Sequence, residues 1–157
     1  MKLIVRSFLC MGLLTLAAHN AHAQTVTKAT VNFHSTSDGK DGDSQVRDQV
    51  VCGGVTVLEL YCCSAGKRSQ GDIWDKNSNQ SRDMKIDSPV AKSAIPGCVF
   101  IAGMSPVGND TWNAIYSIDL TFSDGSHLHY DFGEIDLPGT NSTYIEKRAN
   151  FNSAAVH

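Results

Sequence analysis

The stretch WNAIYSIDLTFSDGSHLHYDF, residues 112–132, decides how the rest of the chain is read. Apolar and polar residues alternate on both sides of Ser123-Asp124-Gly125, the pattern of two half-buried strands joined by a turn. A three-residue loop with Gly125 in the left-handed position of a G1 bulge sets Phe122 against Ser126, Leu120 against Leu128, Ile118 against Tyr130 and Tyr116 against Phe132. That register gathers nearly every apolar side chain on one face. A two-residue Asp-Gly loop would instead oppose Phe122 to His127 and Leu120 to His129, mixing the faces. The hairpin therefore has one dry face and one wet face.

Working outward, short runs of alternating or β-branched residues recur between clusters of Gly, Asn, Asp, Ser and Pro, and helical periodicity is nearly absent. Strands are expected at Val26 to His34, Gln45 to Cys52, Val55 to Cys63, Asp83 to Ile86, Gly97 to Ala102, Trp112 to Phe122 and Ser126 to Phe132, with another over Thr143 to Lys147. Seven or eight short strands form an all-β, antiparallel two-sheet β-sandwich, because a single sheet would leave one apolar face in water. A small barrel is the competing closure. One domain over residues 24–150 and a frayed, flexible tail over 151–157 complete the expected organisation.

Residues 1–23 read differently. Lys2 and Arg6 precede a short apolar run from Phe8 to Ala18, which ends in Ala21-His22-Ala23. This is the order of a secretory signal peptide cut after Ala23, and the run is shorter than the roughly 20 residues a membrane span needs. A secreted or periplasmic domain without a transmembrane anchor is expected. Loss of Lys2 and Arg6 takes the 13 basic residues to 11 against 16 acidic ones, a net charge of −5 that disfavours nucleic acid as a partner.

Export also lets the cysteines be read. Cys52, Cys62, Cys63 and Cys98 remain after cleavage, an even set that points to two disulfides; no Cys-x-x-Cys pair favours zinc. Successive residues on a strand point to opposite faces, so Cys62 and Cys63 are expected to serve different partners, one of them Cys98 across a long loop. A strained vicinal bond between them is the alternative.

Two polar constellations can carry chemistry. On the wet face of the hairpin, His127, His129 and Asp131 alternate, and Asp119 stands opposite His129, so two imidazoles and a carboxylate can turn toward one metal ion. The plainer reading is a solvated sheet face with one His and Asp pair. Between the first two strands, Ser37-Asp38-Gly39-Lys40-Asp41-Gly42-Asp43-Ser44 packs Asp38, Asp41 and Asp43 beside glycine turns, an oxygen-rich loop able to wrap calcium. The later glycine and terminal Glu of an EF-hand are missing. Trp74, flanked by polar residues in Gly71-Asp72-Ile73-Trp74-Asp75, is the candidate exposed ligand contact; the alternative is that it plugs one end of the core.

The order of these features resembles a PLAT domain, the β-sandwich of lipoxygenases, lipases and clostridial alpha-toxin. Val31-Asn32-Phe33, the loop from Asp38 to Asp43, and Val46 follow that family's opening strand, Gly- and Asp-rich loop and second strand. Asp83-Met84-Lys85-Ile86, Cys98 to Ile101 and Asn109-Asp110-Thr111-Trp112 are similar to its later strands and Trp-led loop. The usual Gly-Thr-Asp is replaced by Gly42-Asp43-Ser44, and the closing aromatic motif is absent. The resemblance implies calcium held at one end of the sandwich by Asp38, Asp41, Asp43 and Asp110, with a lipid or protein contact made there.

For function, no Gly-x-Ser-x-Gly elbow is present, and the post-leader chain offers only His34, His127, His129 and His157 as imidazole bases. The leading expectation is a non-catalytic binding module, calcium-assisted through the acidic loop, that recognises a lipid, glycan or protein on a cell envelope or host surface. A metal-dependent enzyme centred on His127, His129 and Asp131 is the alternative, and a small exported inhibitor or toxin-like protein is the third.

Overall fold

The computed structural model describes residues 23–62, 74–139 and 143–157. Residues 1–22, nearly all of the expected signal peptide, and Cys63 lie outside the described residues. The chain is all-β, with strands β1 (Val26–Ser35), β2 (Gln45–Cys52), β3 (Val55–Cys62), β4 (Asn79–Asp83), β5 (Lys85–Ile86), β6 (Cys98–Ser105), β7 (Trp112–Phe122), β8 (His127–Leu137), β9 (Ile145–Asn150) and β10 (Ala155–Val156). They form two antiparallel five-stranded sheets, ordered β10-β8-β7-β1-β4 and β5-β3-β2-β6-β9.

The β7-β8 hairpin adopts the three-residue loop. Phe122 N–H donates to the Ser126 carbonyl at 2.9 Å, Gly125 has φ +80°, and Leu120, Asp119 and Ile118 face Leu128, His129 and Tyr130. One pairing differs: a bulge shifts the register after Ser117, so Tyr116 faces Gly133 instead of Phe132. Gly133, at φ +72°, supplies the left-handed residue such a kink needs.

Among the described residues ten strands replace the expected seven or eight, for two local reasons. The run from Asp83 to Ile86 is not one strand, because the chain leaves β4 in the first sheet, buries Met84, and enters the second sheet at β5. The segment expected as a frayed tail forms a helical turn at Phe151–Ser153 and strand β10. Phe151 is buried against Tyr130 and Phe132, with ring centroids 4.8 and 5.0 Å away, and this anchor brings Ala155 and Val156 into pairing with Asp131 and Tyr130.

The two inner faces share one apolar core. Phe33, Trp74, Trp112 and Tyr116 fill one region of it, and Phe100, Phe132 and Phe151 another. Among the described residues a disulfide joins Cys52 and Cys98, directly paired residues of β2 and β6. The expected bridge from Cys98 to Cys62 or Cys63 is thereby corrected: spacing along one strand indicates which face a cysteine takes, but register chooses its partner.

Candidate functional site

The outer face of the first sheet is a wet surface whose side chains satisfy one another. Asn32 Nδ2 donates to Asp119 Oδ2 at 2.7 Å, and Asn32 Oδ1 accepts from Ser81 Oγ at 2.6 Å. Asp119 Oδ1 accepts from His129 Nδ1 at 2.7 Å, His127 Nδ1 shares a 3.0 Å hydrogen bond with Thr121 Oγ1, and Asp131 Oδ1 accepts from Gly133 N at 2.8 Å. His34 Nδ1 donates to Asn79 Oδ1 at 2.8 Å. His127, His129, Asp131 and Asp119, the residues of the metal reading, are thus engaged in separate hydrogen bonds. Alternate residues on a strand stand roughly 7 Å apart, and here each turns to its own neighbour instead of to a common centre. Among the described residues no group of three or more His, Cys, Asp or Glu side chains is arranged to hold a metal ion.

The acidic loop has a different occupant. Lys40, 1 % exposed, sends Nζ back into its own loop, donating to the Asp41 carbonyl at 2.6 Å and the Ser44 carbonyl at 2.8 Å. Its backbone bridges Trp74 in both directions, at 2.8 and 3.0 Å, and its ammonium lies 5.1 Å from the Trp74 ring centroid. The loop does meet Asp110: Asp41 N–H donates to Asp110 Oδ2 at 3.2 Å. Burial pushes the Asp110 carboxyl above its ordinary value, Asp41's charge adds to that, and hydrogen bonds from Ser44 and Asp41 N–H and the charge of Lys40 oppose it. Asp38 and Asp41 stay exposed and Asp43 half-buried. These residues do not fit calcium, since the carbonyls a hard cation would use already face an ammonium, which would repel it.

Trp74 is not a ligand contact. It is fully buried, stacked on Phe33 with centroids 5.0 Å apart and edge-on to Trp112 at 4.9 Å. Its polar flanks suggested exposure, but the Lys40 bridge draws the indole inward over the end of the core.

The outer face of the second sheet carries a further feature. Tyr61 on β3 and Tyr144 just before β9 stand 63 % and 41 % exposed, and with Gln45, Arg47 and Ser105 they line a groove of about 280 Å³. Tyr61 Oη donates to Gln45 Oε1 at 2.9 Å, which fixes the ring. Arg47 Nε pairs with Glu59 Oε1 at 2.8 Å, and that bond holds the guanidinium above its usual range. Tyr144 lies across Gly103, where any Cβ would strike both the Tyr144 hydroxyl and the Arg47 carbonyl. Beneath, the fully buried Asp48 accepts from Gly103 N–H at 3.2 Å, so the groove floor is gripped from both sides. Burial also raises the Tyr144 phenol, with Glu146 acting in the same direction, so this hydroxyl stays protonated at neutral pH.

No protein-family model matches this chain, and no curated protein matches it. The PLAT likeness therefore rests on the residues quoted for it. Sequence reading missed Tyr61, Tyr144, Gly103 and Asp48. Tyr61 carried a usable signal, since alternation along Val55 to Tyr61 places it outward beside Glu59; Tyr144 and Gly103 meet only through the β6-β9 pairing.

Proposed function

We propose that this chain is an exported, non-catalytic binding module that recognises a ligand of a cell-envelope or host surface through the groove between Tyr61 and Tyr144. The groove carries the reading: it has two exposed aromatic rings and hydrogen-bonding side chains at its base, on a rigid sheet held from beneath by Asp48. Exposed tyrosines and arginine are the residues that dominate recognition surfaces. Export is supported by the leader-like order of residues 1–23 and by the Cys52–Cys98 bond, which suits an oxidising compartment. Among the described residues no helix is long and apolar enough to cross a membrane. Calcium is no part of this reading, because Lys40 supplies the cation of the acidic loop from within the chain.

Co-sedimentation of the leader-free chain with envelope particles tests the proposal. Saturable binding that the double substitution Tyr61→Ala and Tyr144→Ala reduces by about tenfold or more is the expected result. Binding unchanged by both substitutions would remove the groove from the function.

A further inference from the structure

We infer that the Tyr61–Tyr144 groove takes a neutral saccharide. This rests on the binding-module reading and names the ligand of the same site. Three features of the groove select that chemistry.

The first is the character of its walls. A tyrosine ring offers a flat π face with negative charge density, onto which the weakly positive C–H face of a sugar ring packs, while its hydroxyl remains available to hydrogen bond. Gln45 and Ser105 add an amide and a hydroxyl at the base, able to donate to and accept from sugar hydroxyls. A lipid chain would want an apolar lining, and three of the lining residues, Gln45, Arg47 and Ser105, are polar.

The second is charge. Among the described residues of the lining Arg47 is the one ionised side chain, and Glu59 already neutralises it at 2.8 Å. Gln49 Nε2 donates to the same Glu59 oxygen at 3.1 Å, which holds the carboxylate in place. An anionic ligand would have to compete with Glu59 for the guanidinium, whereas a neutral one leaves the pair intact and uses the remaining guanidinium N–H donors.

The third is size. The groove runs from β3 across β2 to Tyr144 lying over Gly103 on β6, on the order of 10 Å at two strand spacings. Its volume of about 280 Å³ is close to the lower bound of small-ligand sites, whereas stable protein docking takes about 800 Å² from each partner. A short oligosaccharide segment fits that scale.

The test is isothermal titration of the leader-free chain with soluble chitin, cellulose and mannan oligosaccharides, with an acidic oligosaccharide as control. In parallel, envelope particles are treated with periodate, which cleaves sugar diols, or with protease before sedimentation. Binding of at least one neutral oligosaccharide is expected, weakened about tenfold or more by Tyr61→Ala and by Tyr144→Ala, and unchanged by Ile115→Ala on the opposite face. Tyr61 is exposed enough for its alanine variant to keep the fold, so a Tyr144 variant that misfolds leaves the test intact. Envelope binding lost to protease but untouched by periodate, or stronger binding of the acidic control, overturns the saccharide and leaves the module standing. Binding to neither oligosaccharides nor envelope overturns both. Release of new reducing ends from a bound oligosaccharide keeps the saccharide assignment and removes the non-catalytic reading.

Discussion

The two outer sheet faces of this sandwich use polar residues in opposite ways. On the first sheet, Asn32, Ser81, Asp119 and His129 bond to one another, so their hydrogen-bonding capacity is largely spent within the protein. On the second, Tyr61 and Tyr144 stand out from the surface with only their edges anchored, and a groove opens between them. The histidine-bearing face looked richer in chemistry, yet its side chains are engaged mostly with one another. The second face leaves more aromatic area exposed, at a cost in hydration, and that exposed area is what the binding proposal rests on.

The largest way to break the comparison is to remove the staple at the far end of the β2-β6 pair from the groove. Cys52 and Cys98 are 46 residues apart, and a loop of that length stabilises by about 4 kcal/mol through the unfolded state. The double variant Cys52→Ala and Cys98→Ala is expected to lose roughly that much in denaturant titration. A loss under about 1 kcal/mol would show that the second sheet holds its shape without the bond.

Next in size is Gly103. Gly103→Ala drives a methyl into the Tyr144 hydroxyl and the Arg47 carbonyl, and about 2–3 kcal/mol of destabilisation is expected, with loss of groove binding. Adding Tyr144→Ala should relieve only part of the cost, because the clash with the Arg47 backbone remains. Full rescue by the second substitution would mean that the backbone yields freely there and that Asp48 does not fix the floor.

Lys40→Met tests the rim that joins the faces. It removes both hydrogen bonds to the Asp41 and Ser44 carbonyls, and a loss of about 2 kcal/mol is expected. Since Ser44 immediately precedes Gln45 of the groove, saccharide binding should weaken as well, while the first sheet's face is untouched. Calorimetric titration of the parent chain with calcium is expected to give no saturable heat. A saturable signal abolished by Asp41→Ala would overturn the lysine assignment. On the first sheet, Asn32→Ala should cost about 1 kcal/mol and leave envelope binding at its original strength.

What the sequence made legible follows from what is local. The hairpin register was readable near the turn, where Gly125 and strict alternation fix Ile118 to Tyr130, but the bulge that sets Tyr116 against Gly133 was not. The split between β4 and β5 was not, because Met84 turns inward only where a second sheet exists to receive it. The acidic loop drew attention to its carboxylates, whereas the decisive residue was Lys40, whose inward turn depends on Trp74 some thirty positions later. The groove was least legible. Its two tyrosines come from opposite sides of a four-strand stretch, and neither sits in a motif.

Asp110 offers the smallest and most specific effect. Its carboxyl is raised above 3.8 chiefly by burial, so within the window from that value upward the folded state holds more protons than the unfolded one. Stability therefore falls as pH rises through the window, and the loss persists above it. A neutral amide in place of this carboxyl would still offer an oxygen to the Asp41 N–H while removing the charge that Asp41 repels. Asp110→Asn is expected to flatten the decline between about pH 4 and neutrality and to leave the variant at or slightly above the parent at neutral pH, read as the difference between denaturant midpoints across that range. A variant that is weaker at neutral pH would instead make the attraction between Asp110 and Lys40 the dominant influence. The rim would then be an ion-paired clasp, with the lysine held by a carboxylate as well as by carbonyls.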